Sequence, residues 1–145
     1  MLILGPSELR AAGVPEPWRF GIGDTVRFGE VDSLGHVNNA AYIRWFETTR
    51  IRYLMAAGAL DLRPEPRVVL RQIECAFERE IGMHVPYVVA LRTVALGRSS
   101  VAQAYGVFAP DLRATGRSVI VFTQAGRSAP IPEAARAALA AFDGL

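Results

Sequence analysis

From Asn39 to about Ala57 the chain sets Tyr42, Ile43, Trp45, Phe46, Ile51, Tyr53, Leu54 and Met55 at spacings that leave almost no side of a helix free of apolar residues. A helix that is apolar nearly all round is buried on most sides. This one element therefore constrains the rest, because other elements must wrap it. Asn38 or Asn39 is the natural N-cap, since a short side-chain oxygen can accept from the orphan N–H groups of the first turn. Gly58 is a good stop signal. The polar exceptions are Arg44, Glu47, Thr48, Thr49, Arg50 and Arg52.

The wrapping material is strand-like. Thr25 to Val31 alternates, with Val26, Phe28 and Glu30 on one face, and predicts a first strand over Asp24–Val31. Four more runs follow the helix: Val68–Phe77, Tyr87–Leu96, Val101–Phe108 and Arg117–Gln124. Pro64 and Pro66 mark a loop, and Gly97-Arg98-Ser99-Ser100 turns the chain. The short connections argue for an antiparallel meander, because parallel crossovers need a dozen or more residues. Ile131-Pro132-Glu133 opens a last amphipathic helix, Ala134–Phe142, with proline at a first-turn position. Residues 1–23 are rich in proline and glycine, show little periodicity and read as an N-terminal surface arm. Residues 24–145 then form a single α+β domain, a long central helix wrapped by a curved antiparallel sheet of about five strands, with a C-terminal helix.

Composition narrows the function classes. The chain has 145 residues, enough for one domain with a sizeable core. Every basic residue is Arg, yet the net charge is only +2 and acidic residues are interspersed, so nucleic acid is not an expected partner. Cys75 is the single cysteine, which excludes an internal disulfide and fits a reducing compartment. Met1–Leu4 is apolar but too short for a signal h-region, and no run approaches the length of a membrane span. The expectation is a soluble cytoplasmic protein. A sheet curled round one helix leaves an edge or face to cover, so at least a dimer is expected. His36, His84 and Cys75 are widely separated and form no metal-ligand pattern.

The chemistry concentrates in Asp32-Ser33-Leu34-Gly35-His36-Val37-Asn38-Asn39, directly before the helix. A carboxylate is held just outside a helix N-terminus, beside free N–H groups and the positive end of the dipole. Such a place suits a reaction that develops an oxyanion. No serine nucleophile is evident, because Ser33 lacks a Gly-x-Ser-x-Gly elbow.

The run from Arg27 through Asn39, followed by Tyr42, Trp45-Phe46-Glu47 and Arg50, resembles the signature of hotdog-fold thioesterases. The subgroup it is most similar to is the 4-hydroxybenzoyl-CoA thioesterase-like and acyl-CoA thioesterase group, and plant acyl-ACP thioesterases share its His-Val-Asn-Asn piece. The resemblance covers roughly Asp24 to Phe142. It implies hydrolysis of an acyl-CoA or acyl carrier protein thioester by a homodimer or homotetramer, with the site between two subunits. No cofactor is implied, coenzyme A entering only as part of the substrate. Asp32 matches the catalytic aspartate, acting as nucleophile or general base, and the Asn39 backbone N–H matches the oxyanion donor. Coenzyme A phosphates meet basic side chains of the sheet in that family. Leu34 stands where the plant enzymes carry an asparagine, so their asparagine-containing network does not carry over. Hydratase-type hotdogs space Asp and His one residue farther apart around Asn-Pro, which Leu34-Gly35 does not match. An acyl-CoA-binding regulator would want a DNA-binding segment, for which residues 1–23 look too short and too proline-rich.

Each site residue also has a structural reading. Asp32 can merely cap a turn. His36 can orient substrate or Asp32, share in proton transfer, or only satisfy local hydrogen bonds. Asn38 reads as a cap that also borders the substrate. Tyr42 can line an acyl pocket or sit in the core. Glu47, flanked by Arg44 and Arg50, is an ion-pair residue or a second carboxylate near the substrate. Arg98 and Ser99 are a hairpin turn or a contact for a coenzyme A phosphate.

Overall fold

A computed structural model describes residues 1–60 and 65–145. The elements in order are β1 (Leu2–Leu4), α1 (Pro6–Ala11), β2 (Phe20–Thr25), α2 (Asn39–Ala56), β3 (Arg67–Phe77), β4 (Pro86–Leu96), β5 (Ser100–Phe108), β6 (Leu112–Gln124), β7 (Arg127–Ser128) and α3 (Glu133–Asp143). All strand pairings are antiparallel, in one seven-stranded sheet of order β1-β2-β4-β5-β6-β3 with β7 also on β6. The long helix α2 lies across this sheet and α3 packs beside it. This is the hotdog arrangement that the motif leads one to expect.

The central helix and three of the four later strands fall within a residue or two of where the sequence puts them, and β6 begins earlier than expected, at Leu112 rather than Arg117. The meander holds for β4, β5 and β6. β3 departs from it, pairing with β6 at the far edge from β2. Pro64, expected in a loop, lies outside the described residues.

Three other expectations are corrected. The first strand is Phe20–Thr25, not Asp24–Val31. Phe28–Glu30 is a 3₁₀ turn, because the Glu30 carboxylate is drawn two ways, accepting from the Arg27 N–H at 2.8 Å and from the Trp45 indole N–H at 2.8 Å. Residues 1–23, read from the sequence as a surface arm, are built into the sheet and a small core. They supply β1, α1 and most of β2, and Leu9 and Val14 are buried with Ala90 and Phe108. Val89 and Leu91 belong instead to the main core. Side chains alternate across a strand, so α1 covers the sheet face opposite α2.

The helix α2 is buried on one face. Ala41, Tyr42, Trp45, Phe46, Thr49, Arg50, Tyr53 and Leu54 point to the sheet. Ile43, Ile51 and Met55, read from the sequence as core, are 36%, 44% and 41% exposed. The inner face is held by rings. Trp45 stacks on Tyr87 at 3.9 Å and Phe46 on Tyr105 at 4.3 Å. Phe46 also needs Gly116, where a Cβ would stand 2.4 Å from its ring. Burying such an aromatic ring contributes roughly 1.5–3 kcal/mol. Among the described residues, no helix is long and apolar enough to cross a membrane.

Candidate active site

The segment between the 3₁₀ turn and α2 is a tight turn with its own hydrogen-bond frame. Asp32 N–H donates to the His36 carbonyl at 2.9 Å, and Gly35 N–H to the Asp32 carbonyl at 3.0 Å. Gly35 sits at φ +83°, in the left-handed region that glycine enters without a steric penalty. The Asp32 carboxylate is oriented by the Leu34 N–H, which donates to Oδ1 at 2.9 Å. Its Oδ2 has no protein partner among the described residues.

The two asparagines divide their tasks. Asn38 is the N-cap: its Oδ1 accepts from the Ala40 N–H at 2.8 Å, and its carbonyl from the Ala41 N–H at 2.9 Å. Asn39 is the first helical residue, and no protein group among those described accepts its backbone N–H. The helix thus opens with one donor claimed by its cap and another left free beside a half-free carboxylate.

These groups share a cavity of about 310 Å³, lined by Asp32, His36, Asn39, Tyr42, Phe77, Glu78, Arg79 and Glu80. The structure therefore brings together Asp32, His36, Asn39 and Tyr42, with Asn38 capping the helix at the rim. Burial, with Cys75 adding to it, pushes the Tyr42 phenol up to about 12, so it is a hydrogen-bond donor at neutral pH. Burial likewise pushes the Cys75 thiol up to about 11, which makes it a packing residue rather than a nucleophile.

Two groups of sequence candidates lie elsewhere in the chain. Glu47 is on the exposed face of α2 and makes no ion pair among the described residues. Arg50, one of its two expected partners, turns inward and donates to the Tyr105 hydroxyl at 3.2 Å. Arg98 and Ser99 sit at the far end of the sheet. On β6, Phe77 pairs with Ala114 and Ser100 with Val121. That separation is roughly 24 Å along a strand.

Sequence reading missed the cavity wall made by Phe77 to Glu80. Its sole local signal is the charged Glu78-Arg79-Glu80 at a strand end, and its place depends on β3 pairing with β6. A larger hollow of about 490 Å³, bordered by Trp18, Glu74 and Arg117, brings together neither a helix N-terminus nor a turn-held carboxylate. The smaller cavity is the candidate site.

A wrapped helix, an antiparallel sheet and a carboxylate at the helix start define a hotdog domain of thioesterase type. A family model described as the thioesterase-like superfamily matches residues 26–139, and the chain belongs to that superfamily. A thioesterase-superfamily structure from Jannaschia sp. CCS1 is 37% identical, with 99% of this chain and 95% of that one covered and a TM-score of 0.91. A thioesterase from Thermus thermophilus, complexed with coenzyme A and Zn, is 34% identical, with 90% and 98% covered and a TM-score of 0.82. The uncharacterized protein YsmA of Bacillus subtilis (strain 168) is 28% identical over 81 residues, which is 56% of this chain and 55% of that protein. The match to YsmA thus spans little more than half of that protein's length.

Proposed function

We propose that the chain hydrolyses acyl-CoA thioesters to the free acid and coenzyme A. The observation that carries this reading is the pairing of a turn-held, half-free Asp32 carboxylate with the unclaimed Asn39 N–H at one cavity. Thioester hydrolysis needs a base or nucleophile next to an oxyanion site and nothing more. Asp32 attacks the carbonyl carbon or removes a proton from the attacking water. The carbonyl oxygen becomes an oxyanion and is met by the Asn39 N–H at the positive end of α2. Tyr42, His36 and Asn38 border the acyl and thioester portions. The coenzyme A bound to the Thermus thermophilus relative supports coenzyme A as the carrier.

The working form in this reading is a homodimer or homotetramer. β3 is the last strand of the sheet order, and Val69, Leu70 and Phe77 on it are exposed. A long apolar edge strand of this kind invites a second copy.

The test is release of free thiol from short, long and aromatic acyl-CoAs by wild type and Asp32→Asn. Turnover should fall by about 10²–10³ or more in the variant, with circular dichroism and oligomeric state unchanged. Equal rates in the two proteins would remove Asp32 from the mechanism. Silence from wild type across the panel would remove acyl-CoA as substrate.

A further inference from the structure

Arg50 lies on the buried face of α2, only 8% exposed. Its Nη1 donates to the Tyr105 hydroxyl at 3.2 Å, and no carboxylate pairs with it among the described residues. The Tyr105 hydroxyl in turn bonds the Ser118 hydroxyl at 3.0 Å, which donates to Gln103 Oε1 at 3.3 Å. Gln103 is 1% exposed, and its Nε2 has no partner among the described residues. A guanidinium carries five N–H donors and no acceptor. The cluster therefore holds more donors than acceptors, around a charge whose burial is costly unless an anion meets it.

This cluster borders an apolar strip that starts at the candidate site. Ser118 pairs with Ile73 of β3, and Gly116, which pairs with both Tyr105 and Cys75, has no side chain to separate them. Ile73 and Cys75 pack against the main core yet remain only half-buried. Phe77 follows on the same face of β3, meets the Tyr42 ring edge-on at 5.0 Å and lines the cavity that holds Asp32. Side chains alternate along a strand, so Phe77, Cys75 and Ile73 form one row leading away from that cavity. On α2 the matching ridge is Tyr42, Phe46 and Arg50, at i, i+4 and i+8. Arg50 comes eleven residues after Asn39, roughly 16 Å along the helix axis.

We propose that the strip takes the acyl chain and that Arg50 receives a carboxylate at its far end, so that the preferred substrates are CoA thioesters of dicarboxylic acids. This rests on the thioester-hydrolase reading above. With the thioester carbonyl at the Asn39 N–H, the chain runs past Tyr42 and Phe77, and its methylenes meet Cys75 and Ile73. The tail carboxylate supplies the acceptors that the cluster lacks, and its two oxygens suit the planar fork of a guanidinium. Arg50 is a specificity residue: it touches the tail and not the thioester, and no bond is made or broken there.

The test is kcat/KM of wild type and Arg50→Met on paired acyl-CoAs of rising chain length, one of each pair ending in a methyl group and the other in a carboxylate. Wild type should prefer the carboxylate tail by about 10–100-fold once the chain spans the strip. It should reject that tail at lengths that leave the charge among apolar side chains. Arg50→Met should lose the preference through KM rather than kcat, and plain long chains should gain. Exchange of a buried charge for an apolar residue of similar length commonly leaves a fold intact, which circular dichroism checks. Arg50→Lys, which keeps the charge without the fork, should retain part of the preference and serves if the Met variant misfolds. Wild type indifferent to the tail at every length, or equal losses on both tails in Arg50→Met, would overturn the proposal. So would a change of oligomeric state in Arg50→Met, which would give the guanidinium to a carboxylate of a second copy. Wild type that cleaves no acyl-CoA would overturn the thioesterase reading. Isothermal titration with the same pairs then decides the role of Arg50 separately, equal affinity for both tails overturning it.

Discussion

The two ends of the sheet carry turns of similar composition, each with a glycine, serine and a charged residue, and they differ in what remains unspent. At the β4–β5 turn nearly every backbone group is claimed. Gly97 N–H donates to the Ser100 carbonyl at 2.8 Å, Phe122 N–H to the Ser99 carbonyl at 2.9 Å, and Ile131 N–H to the Arg98 carbonyl at 2.9 Å. Arg136 donates to the Gly97 carbonyl at 2.7 Å, and the Ser128 hydroxyl to Ser99 at 2.9 Å. At the other end, the turn from Asp32 to Asn39 is equally well framed, yet the Asn39 N–H and one Asp32 oxygen have no protein partner among the described residues. Asp32 is half-buried and Asn39 exposed, so water can meet both groups until a ligand replaces it. The open end therefore offers a donor and an acceptor at one cavity, and the closed end offers neither.

That contrast breaks first at Asn39. Asn39→Pro removes the N–H and little else. Proline is well tolerated at the first helical position, and Asn38, at φ −64° and ψ 140°, already has the extended backbone that a following proline demands. Thiol release should fall by about 10²–10³ while the melting temperature stays within a few degrees. Asn39→Ala, which keeps the N–H, should lose less than about threefold, since its side chain plays no part in the proposed chemistry. Reversal of those two results would place the role in the side-chain amide. Asn38 supplies the opposite control. Asn38→Ala removes the cap on Ala40 and should cost about 1 kcal/mol by denaturant titration, and Asn38→Ser should restore most of it.

How much of this was legible depended on range. The helix from Asn39 and the strands from Val68 onward could be read because they are long and periodic. The strand Phe20–Thr25 could not. Its Gly21 and Gly23 hide the alternation, and Gly21 is there because a Cβ would come within 2.9 Å of Leu9 and 3.0 Å of the Val89 carbonyl. Val26 to Val31 alternates convincingly, but Glu30 has a tertiary partner in Trp45 that bends it into a turn. Tertiary context overrode local pattern in both places. At the site, Asp32 and Asn39 were legible because one short turn holds both. The wall from Phe77 to Glu80 was not, because only the pairing of β3 with β6 and the fold-back after it bring it to the cavity. Arg50 shows the same limit: at i+3 from Glu47 it suggests a helical ion pair, but its inward position gives it to Tyr105.

The smallest expected effect probes the closed end. Arg136 lies on α3, and its guanidinium reaches the carbonyls of Gly97 at 2.7 Å and Arg98 at 3.3 Å. These are charge-assisted bonds, but they lie at the surface, where water replaces a lost partner at little cost. Arg136→Ala should therefore lower stability by only about half a kcal/mol and leave kcat/KM for acyl-CoA unchanged. The reason is geometric. The turn it braces is the far end of β6 from Asp32, and Ile131 N–H, Phe122 N–H and the Ser128 hydroxyl hold that turn without it. A loss of activity from Arg136→Ala with the fold intact would mean that the far end also meets substrate. A second copy of the chain, bringing its Arg98 turn to this Asp32, would be the natural way to do so, and the contrast between the two ends would then hold within one chain but not within the assembly.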